Sequence, residues 1–194
     1  MAQEIIDTEH LLLDAVNILL QTINQLPIEV EADFDVIMEA RMAKDTIFEV
    51  KRAVLSERWD FNRDNNYRLA PDLQGMIPLA SNVLDVSGRG GDLIMRDWKL
   101  YSKKAQSFIF DDDQIVDIVW DMNFNSLSHA LRHYITIRAS RIFEARTIGD
   151  KSMVTYTVAD EEDAYLAARR SESRTGRYNM FNSGYGINNR VRIN

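Results

Sequence analysis

The residues best suited to chemistry in this chain begin with a pair of histidines. His129 and His133 are four residues apart, a spacing that places both side chains on one face of a helix and that can hold a metal ion. A zincin motif requires Glu directly after the first His, and Ala130 stands there instead. The chain also has no cysteine to complete a site. We interpret the histidines as a surface or structural pair and expect neither a bound metal nor a cofactor.

Two short segments are similar to ligand-binding loops but lack their essential residues. Asp111-Asp112-Asp113 offers three carboxylates, whereas calcium loops alternate ligands with spacers and place Gly at the bend. Gly88-Arg89-Gly90-Gly91 is rich in glycine, but a phosphate loop continues with Lys and then Ser or Thr. We predict a solvated turn for the first segment and a flexible hairpin loop for the second.

No pattern of residues indicates catalysis. No serine lies in a Gly-x-Ser-x-Gly elbow, the turn that exposes the nucleophile of many hydrolases. The chain has 30 Asp and Glu residues, so any pair of carboxylates is weak evidence for a glycosidase. We therefore predict no catalytic residues.

Composition limits the class of protein further. Of 194 residues, 45% are hydrophobic and 27% are charged, which is typical of a folded chain with one domain, or one domain that carries an insertion. No apolar run approaches the ~20 residues that cross a bilayer. The first residues lack the basic segment of a signal peptide. We expect a soluble protein that is made in a cytosol.

The charge is divided unevenly along the chain. Four arginines and no acidic residue lie between Ser173 and the C-terminus, which gives this segment +4. The whole chain carries −7, and −7 minus +4 leaves −11 for residues 1–172. An acidic body binds duplex DNA poorly, because DNA affinity depends on neutralising phosphates. A basic tail on an acidic body fits docking onto an acidic protein surface, or onto another copy.

The N-terminal part predicts two helices. The first runs from Thr8 to about Gln25 and is ended by Pro27, since proline cannot continue a helix. The second begins with Asp33 or Asp35 as its N-cap. Both carry apolar stripes at steps of three and four residues: Leu12, Ala15, Val16, Leu19, Ile23 and Leu26 on the first, and Val36, Ala40, Ala43, Ile47, Val50 and Val54 on the second.

Turn-forming residues and short β-like runs replace this periodicity between Trp59 and Asp121. Trp59-Asp60-Phe61 follows the second helix directly, and we predict that it anchors the β-region to the helices. A hairpin is predicted about Arg96-Asp97. The candidate strands are Tyr67–Leu69, Met76-Ile77, Asn82–Val86, Leu93–Met95, Trp98–Tyr101, Phe108–Phe110 and Gln114–Trp120.

Helical periodicity returns after the β-region. A third helix begins at Asn125 or Ser126 and ends before Gly149, a C-terminal cap. A fourth begins after Thr157 with an acidic first turn, which the helix dipole favours, and runs to about Ser173. Residues 176–194 have no period but many large apolar groups, so we expect this tail to become ordered on a partner.

These elements predict an α+β fold, an antiparallel helical bundle of about four helices with an inserted small β-domain and an extended C-terminal tail. The bundle comprises 1–58 and 122–175, the inserted β-region 59–121 and the tail 176–194. Arginines and aromatic residues are common interface anchors. The candidate partner-binding residues of the tail are Arg177, Tyr178, Met180, Phe181, Tyr185, Arg190 and Arg192.

The ordered set of motifs resembles the tail tubular proteins A, the adaptor or gatekeeper ring proteins of short-tailed, T7-like phages. The resemblance covers nearly the whole chain. It rests on Ala15–Leu19 with Pro27, Ser56–Asn62, Leu69–Asp72, Tyr134–Phe143, Glu161–Ala164 and Tyr178–Met180. The sequence departs from the family pattern at Asp60, at Asp97-Trp98, where a Gly-Gly turn is usual, and after Met180.

The resemblance implies a virion structural protein without chemistry of its own. It would form a dodecameric ring, a head-to-tail adaptor that joins the portal protein to the tail nozzle protein (tail tubular protein B). The helices would surround part of the DNA ejection channel, the β-region would face the nozzle and the tail would bind the portal. DNA would pass without specific binding, in a particle assembled in the host cytoplasm with no membrane partner.

Two other functions fit some of these observations. One is a tail-associated peptidoglycan hydrolase that uses an Asp/Glu pair, which requires a cleft with two facing carboxylates. The other is a small DNA-packaging or regulatory protein with a basic tail, which requires DNA binding that weakens steeply with salt. The acidic body argues against the second.

Overall fold

The architecture is given by a computed structural model that describes residues 11–88, 90–149 and 155–180, with the backbone alone for 175–180. Its helices are α1 (Leu11–Thr22), α2 (Met38–Leu55), α3 (His129–Thr147) and α4 (Val158–Met180). Its strands are β1 (Arg63–Leu69), β2 (Val83–Gly88), β3 (Leu93–Arg96), β4 (Lys99–Ser102) and β5 (Gln114–Trp120). The predicted α+β class is confirmed.

Helices α1, α2 and α3 pack against one another, and α4 packs on α3. Their shared core contains the predicted apolar stripes, including Val16, Leu19, Ile47, Val54 and Ile135. Ala40 and Ala43 are fully buried, as expected for small residues where helices approach closely. Hydrophobic burial along these stripes therefore specifies the bundle.

The start of α2 differs from the prediction. Asp33 and Asp35 lie in a separate 3-10 helix, Glu31–Asp35, and α2 begins at Met38 without a side-chain N-cap. The core contact of Phe34, which is buried between these two aspartates, accounts for the interruption. Leu26 and Val36, placed on the stripes by their spacing, lie outside the helices and are exposed.

The ends of the other two helices follow their capping residues. The predicted start of α3 at Asn125 or Ser126 is wrong, because these residues belong to a separate 3-10 turn. The helix begins at His129, and Ser128 caps it by accepting a hydrogen bond from the Leu131 N–H at 3.4 Å. Gly149 has a φ of 71° directly after α3, the left-handed conformation expected at that place. Thr157 and Asp160 bond reciprocally at the start of α4.

Helix α4 is longer than the predicted end at Ser173, since it continues to Met180. The first residues of the segment 176–194 are therefore helical. The rest of that segment, from Phe181 onward, lies outside the described residues.

The five strands form one antiparallel sheet in the order β1-β5-β2-β3-β4. The hairpin from β3 to β4 turns at Asp97 and Trp98, which both have positive φ, as a two-residue turn of this kind requires. β2 and β3, which flank the predicted hairpin loop, pair antiparallel. A second core packs on this sheet, with Ile77, Val86, Leu100, Phe110, Val116 and Ile118 among its members.

Two predicted strands are not strands. Met76-Ile77 and Phe108–Phe110 are irregular segments. The first runs beside β4, where the Leu100 N–H donates to the Ile77 carbonyl at 2.9 Å, and the second bonds to the first segment's neighbour, since the Phe110 N–H donates to the Gly75 carbonyl at 2.8 Å. Their apolar residues Ile77 and Phe110 are nevertheless buried in the sheet core. All five strands lie inside the predicted β-region, while its limits as a domain stay a prediction.

The bundle core provides a matched test. Val54 is fully buried and Val36 is 80% exposed. We expect Val54→Ala to lower the free energy of unfolding by about 2 kcal/mol, because it removes buried methyl groups and leaves a cavity. Val36→Ala should change it by less than about 0.5 kcal/mol. Chemical denaturation measures both, and equal effects would contradict the assigned core.

The cap of α4 predicts a pH effect. The Thr157 hydroxyl and backbone N–H both donate to Asp160 and hold the pKa of that carboxyl below its ordinary value. The cap therefore stabilises the fold above the ordinary pKa of Asp, and this contribution is lost as pH falls through the lowered value. Thr157→Val should raise the pKa of Asp160, as measured by carboxyl NMR titration. An unchanged pKa would show that the hydroxyl contributes nothing.

Candidate functional site

Trp59 joins the helical bundle to the start of the sheet. It follows α2, is almost completely buried in the bundle core, and its Nε1–H donates to the Val54 carbonyl at 2.8 Å. The next residue, Asp60, donates its backbone N–H to Glu172 of α4 at 2.6 Å. The predicted anchoring role is thus confirmed for Trp59, whereas Phe61 is half exposed.

The chain crosses between bundle and sheet twice, once from α2 to β1 at Trp59 and once from β5 back to the bundle at Asp121. Lys51 holds the second crossing. Its ammonium is buried and lies 2.7 Å from Asp121 Oδ1 in an ion pair that is not a well-directed hydrogen bond. It also donates to the Met122 carbonyl at 2.9 Å. The Asn62 amide ties both crossings together, since it donates to the carbonyls of Leu55 and Trp120. Both links between bundle and sheet are therefore fixed by buried polar contacts.

Arg169 attaches α4 to this junction. Its guanidinium carbon lies 3.8 Å from the centre of the Trp59 ring, a cation–π geometry. It also donates to the Tyr165 hydroxyl at 3.0 Å and pairs with Glu57 at 3.4 Å and Glu172 at 3.2 Å.

An ion network continues between α2, α3 and α4. Arg138 lies 3.6 Å from Glu57 and 3.7 Å from Glu161, and Arg141 pairs with Glu161 as well. Arg138 also donates to the Tyr134 hydroxyl at 2.8 Å. Burial raises the pKa of Tyr134 above its ordinary value, against the opposing effect of that hydrogen bond. Tyr134 thus remains a neutral phenol at physiological pH.

An open cleft of about 360 Å³ lies beside this network. Its walls come from the end of α2, the middle of α3 and the first turns of α4. Its polar lining is mostly acidic, and two tyrosines contribute aromatic surface. The lining residues are Glu57, Tyr134, Arg141, Val158, Glu161, Glu162 and Tyr165.

Three carboxylates line the cleft, and two of them, Glu57 and Glu161, lie in the arginine network. Each is engaged by two arginines. A general acid or base must come within hydrogen-bond reach of the substrate, whereas the oxygens of these two carboxylates are occupied by contacts with arginines. The arrangement therefore suits a structural tie between helices.

The residues that the sequence suggested for metal binding do not form a metal site. His129 and His133 are exposed, with stacked rings whose centres are 6.3 Å apart. Among residues 11–88, 90–149 and 155–180, no three His, Asp or Glu side chains are grouped to hold a metal ion. The Asp111–Asp113 segment is a bend, in which Asp113 pairs with Arg68 of β1.

The candidate residues of the tail are only partly described. Arg177, Tyr178 and Met180 lie in the last turns of α4, where the backbone alone is described. Phe181, Tyr185, Arg190 and Arg192 lie outside the described residues. Their role as a partner-binding surface stays a prediction.

The arginine network was missed by sequence reasoning. Arg138 was visible on the apolar side of α3, between Ile135 and Ile142. A charged residue on an apolar stripe indicates a buried partner, but the sequence does not show that the partners come from α2 and α4.

The helical bundle, the inserted sheet and the junction between them define the class of fold to which the chain is compared. The family model for tail tubular proteins matches residues 13–178, which include the sheet, the junction and nearly all of the bundle, and the chain belongs to that family. It is thus a structural component of a phage tail. None of the curated proteins compared with the chain matches it. No described helix is long and apolar enough to cross a membrane.

The Lys51–Asp121 pair can be tested against a neighbouring cation. Lys51→Met leaves the Asp121 carboxylate without its buried partner, so we expect a loss of about 3 kcal/mol in the free energy of unfolding. Arg52 also approaches Asp121, at 3.7 Å, but is two-thirds exposed. Arg52→Met should cost less than about 1 kcal/mol. Similar losses in denaturant titrations would contradict the assignment of Lys51 as the main tie.

Proposed function

We propose that this tail protein is the head-to-tail adaptor that joins the portal to the tail nozzle. Copies of the chain form a ring, a dodecamer in the arrangement that the resemblance implies, and the ring encloses part of the DNA ejection channel. The observation that carries the proposal is the family match over residues 13–178, because it includes the bundle, the inserted sheet and most of α4.

Surface composition supports contacts with several chains. Large exposed apolar residues are concentrated between α1 and the first turns of α2, a pattern that marks interaction surfaces. They are Leu26, Val30, Val36, Ile37, Met38 and Met42. A ring subunit between two partners needs such surfaces for its neighbours in addition to its own core.

The negative net charge of residues 1–172 supports the proposal of a channel through which DNA passes without binding. Residues 1–172 carry −11 from the count above, and each phosphate contact would add affinity that must later be broken. In the proposed arrangement, the sheet faces the nozzle and the C-terminal segment binds the portal through its arginines and aromatic residues.

No observation favours the hydrolase alternative, since the paired carboxylates of the cleft are committed to arginines. We propose that the protein has no catalytic activity. Turnover of purified peptidoglycan that is abolished by Glu57→Gln or Glu161→Gln, at unchanged stability, would reverse this assignment.

The experiment that tests the proposal mixes the purified protein with assembled portal and measures the mass of the complex. We expect a ring of copies on each portal. Deletion of residues 181–194 leaves α4 intact and should greatly weaken portal attachment while the circular dichroism of the bundle is unchanged. Monomers alone in the presence of portal would overturn the ring, and wild-type attachment of the truncated chain would overturn the role of the tail.

A further inference from the structure

A line of residues runs along one side of α4, and we call it the lip. Val158 and Glu162 of this line border the cleft, and Leu166 lies one turn beyond them. Val158, Glu162 and Leu166 are spaced four residues apart and so lie on one side of the helix. Val158 is 65% exposed and Leu166 is 41% exposed. Glu162 is exposed and forms no ion pair with any of the described residues. The lip thus presents a free carboxylate between two apolar side chains.

The chemistry of the lip specifies the kind of side chain that fits it. Glu57 and Glu161 are already paired with arginines, which leaves Glu162 as the carboxylate available to a partner. The floor carries the rings of Tyr134 and Tyr165. A long cationic side chain with apolar neighbours would meet the carboxylate, the rings and the two apolar residues together.

The chain carries such a group on the first two turns of α2. The Arg41 guanidinium donates to the Asp35 carbonyl and its Nε lies 4.0 Å from the Asp35 carboxylate. This contact is on the surface, where the Arg41 side chain is 56% exposed, and exposed ion pairs of this kind are weak. Met38 is 71% exposed and Met42 is 44% exposed, and both flank Arg41 on the helix surface. We call Met38, Arg41 and Met42 the α2 stripe. The stripe presents a cation between two apolar side chains, and the lip presents a carboxylate between two apolar side chains. The two surfaces are therefore complementary in charge and polarity.

The two surfaces cannot meet within one copy. Glu57 lies on the cleft just beyond the end of α2, whereas Met38 is the first residue of that helix. Nineteen residues separate them, which corresponds to about 28 Å along a helix. A contact between the stripe and the lip therefore requires two copies.

We propose that the α2 stripe of one copy docks on the α4 lip of the next, with Arg41 paired to Glu162 and Met38 and Met42 packed against Val158 and Leu166. The contact joins two different faces, as a heterologous interface does, and repeated contacts of this kind build a ring when the rotation closes. The inference rests on the proposed ring, and it names the two surfaces that hold neighbouring copies together.

Charge reversal tests the pair. Like charges that face each other across an interface weaken association by more than about tenfold. Arg41→Glu and Glu162→Arg should therefore each raise the protein concentration needed for half-maximal assembly on portal by at least about tenfold. The double variant restores opposite charges and should return it to within about threefold of wild type. Lys104→Glu, at an exposed position after β4 in the β-region, is the control for a charge reversal away from both surfaces and should assemble normally.

Several outcomes separate this inference from the proposed function. If wild type and both single variants assemble equally well, the interface is wrong and the ring stands. If the double variant stays defective while circular dichroism shows it folded, the Arg41–Glu162 pair is wrong. If deletion of residues 181–194 abolishes contact between copies while the charge variants do not, the C-terminal segment occupies the lip instead. If wild type never assembles, the proposed function itself fails.

The absence of cysteine permits a second, covalent test. Met42→Cys combined with Leu166→Cys provides one thiol on each face, and disulfides between copies should form under mild oxidation and give a ladder of multimers. Leu73→Cys, at a fully exposed position outside the bundle, replaces Leu166→Cys in the control. A ladder of equal yield in both variants would overturn the interface.

Discussion

The fold depends on the burial of one indole ring. Trp59 fills the place where α2 ends, the sheet begins and α4 passes. A ring of this size contributes much of the local apolar burial, and its N–H is satisfied by the last turn of α2. Because Arg169 of α4 stacks on the Trp59 ring, the indole also positions α4. Loss of this contact would release three elements at once.

The attachment of α4 differs in kind from the rest of the bundle. Its buried apolar side chains within the described part are small, namely Ala164 and Ala168, so close packing is supplemented by arginines that connect it to α2 and α3. Partly exposed ion pairs weaken as salt rises. The position of α4 should therefore respond to ionic strength more than the packing of α1, α2 and α3, which depends on apolar burial.

Periodicity predicted much of the structure because it reports burial directly. Ala40, Ala43, Ile47, Val50 and Val54 are all buried as their spacing requires. Helix starts were less predictable: an acidic residue before a stripe is a valid cap signal, yet the tertiary contact of Phe34 moved the start of α2 to Met38. The arginine network and the cleft join residues that are distant in the chain, so no local pattern could reveal them.

The insertion of the sheet through two adjacent crossings has a mechanical consequence. β1 begins and β5 ends at the same edge of the junction, with Arg63 paired to Val119. A pull between sheet and bundle is therefore carried by two covalent chains in parallel, and it does not slide β1 along β5. The side chains at the two connections, Trp59, Asn62 and Lys51, instead oppose a tilt of the sheet relative to the bundle. The sheet would therefore follow the bundle under axial force as one stiff unit, and it would yield first by tilting at these three residues.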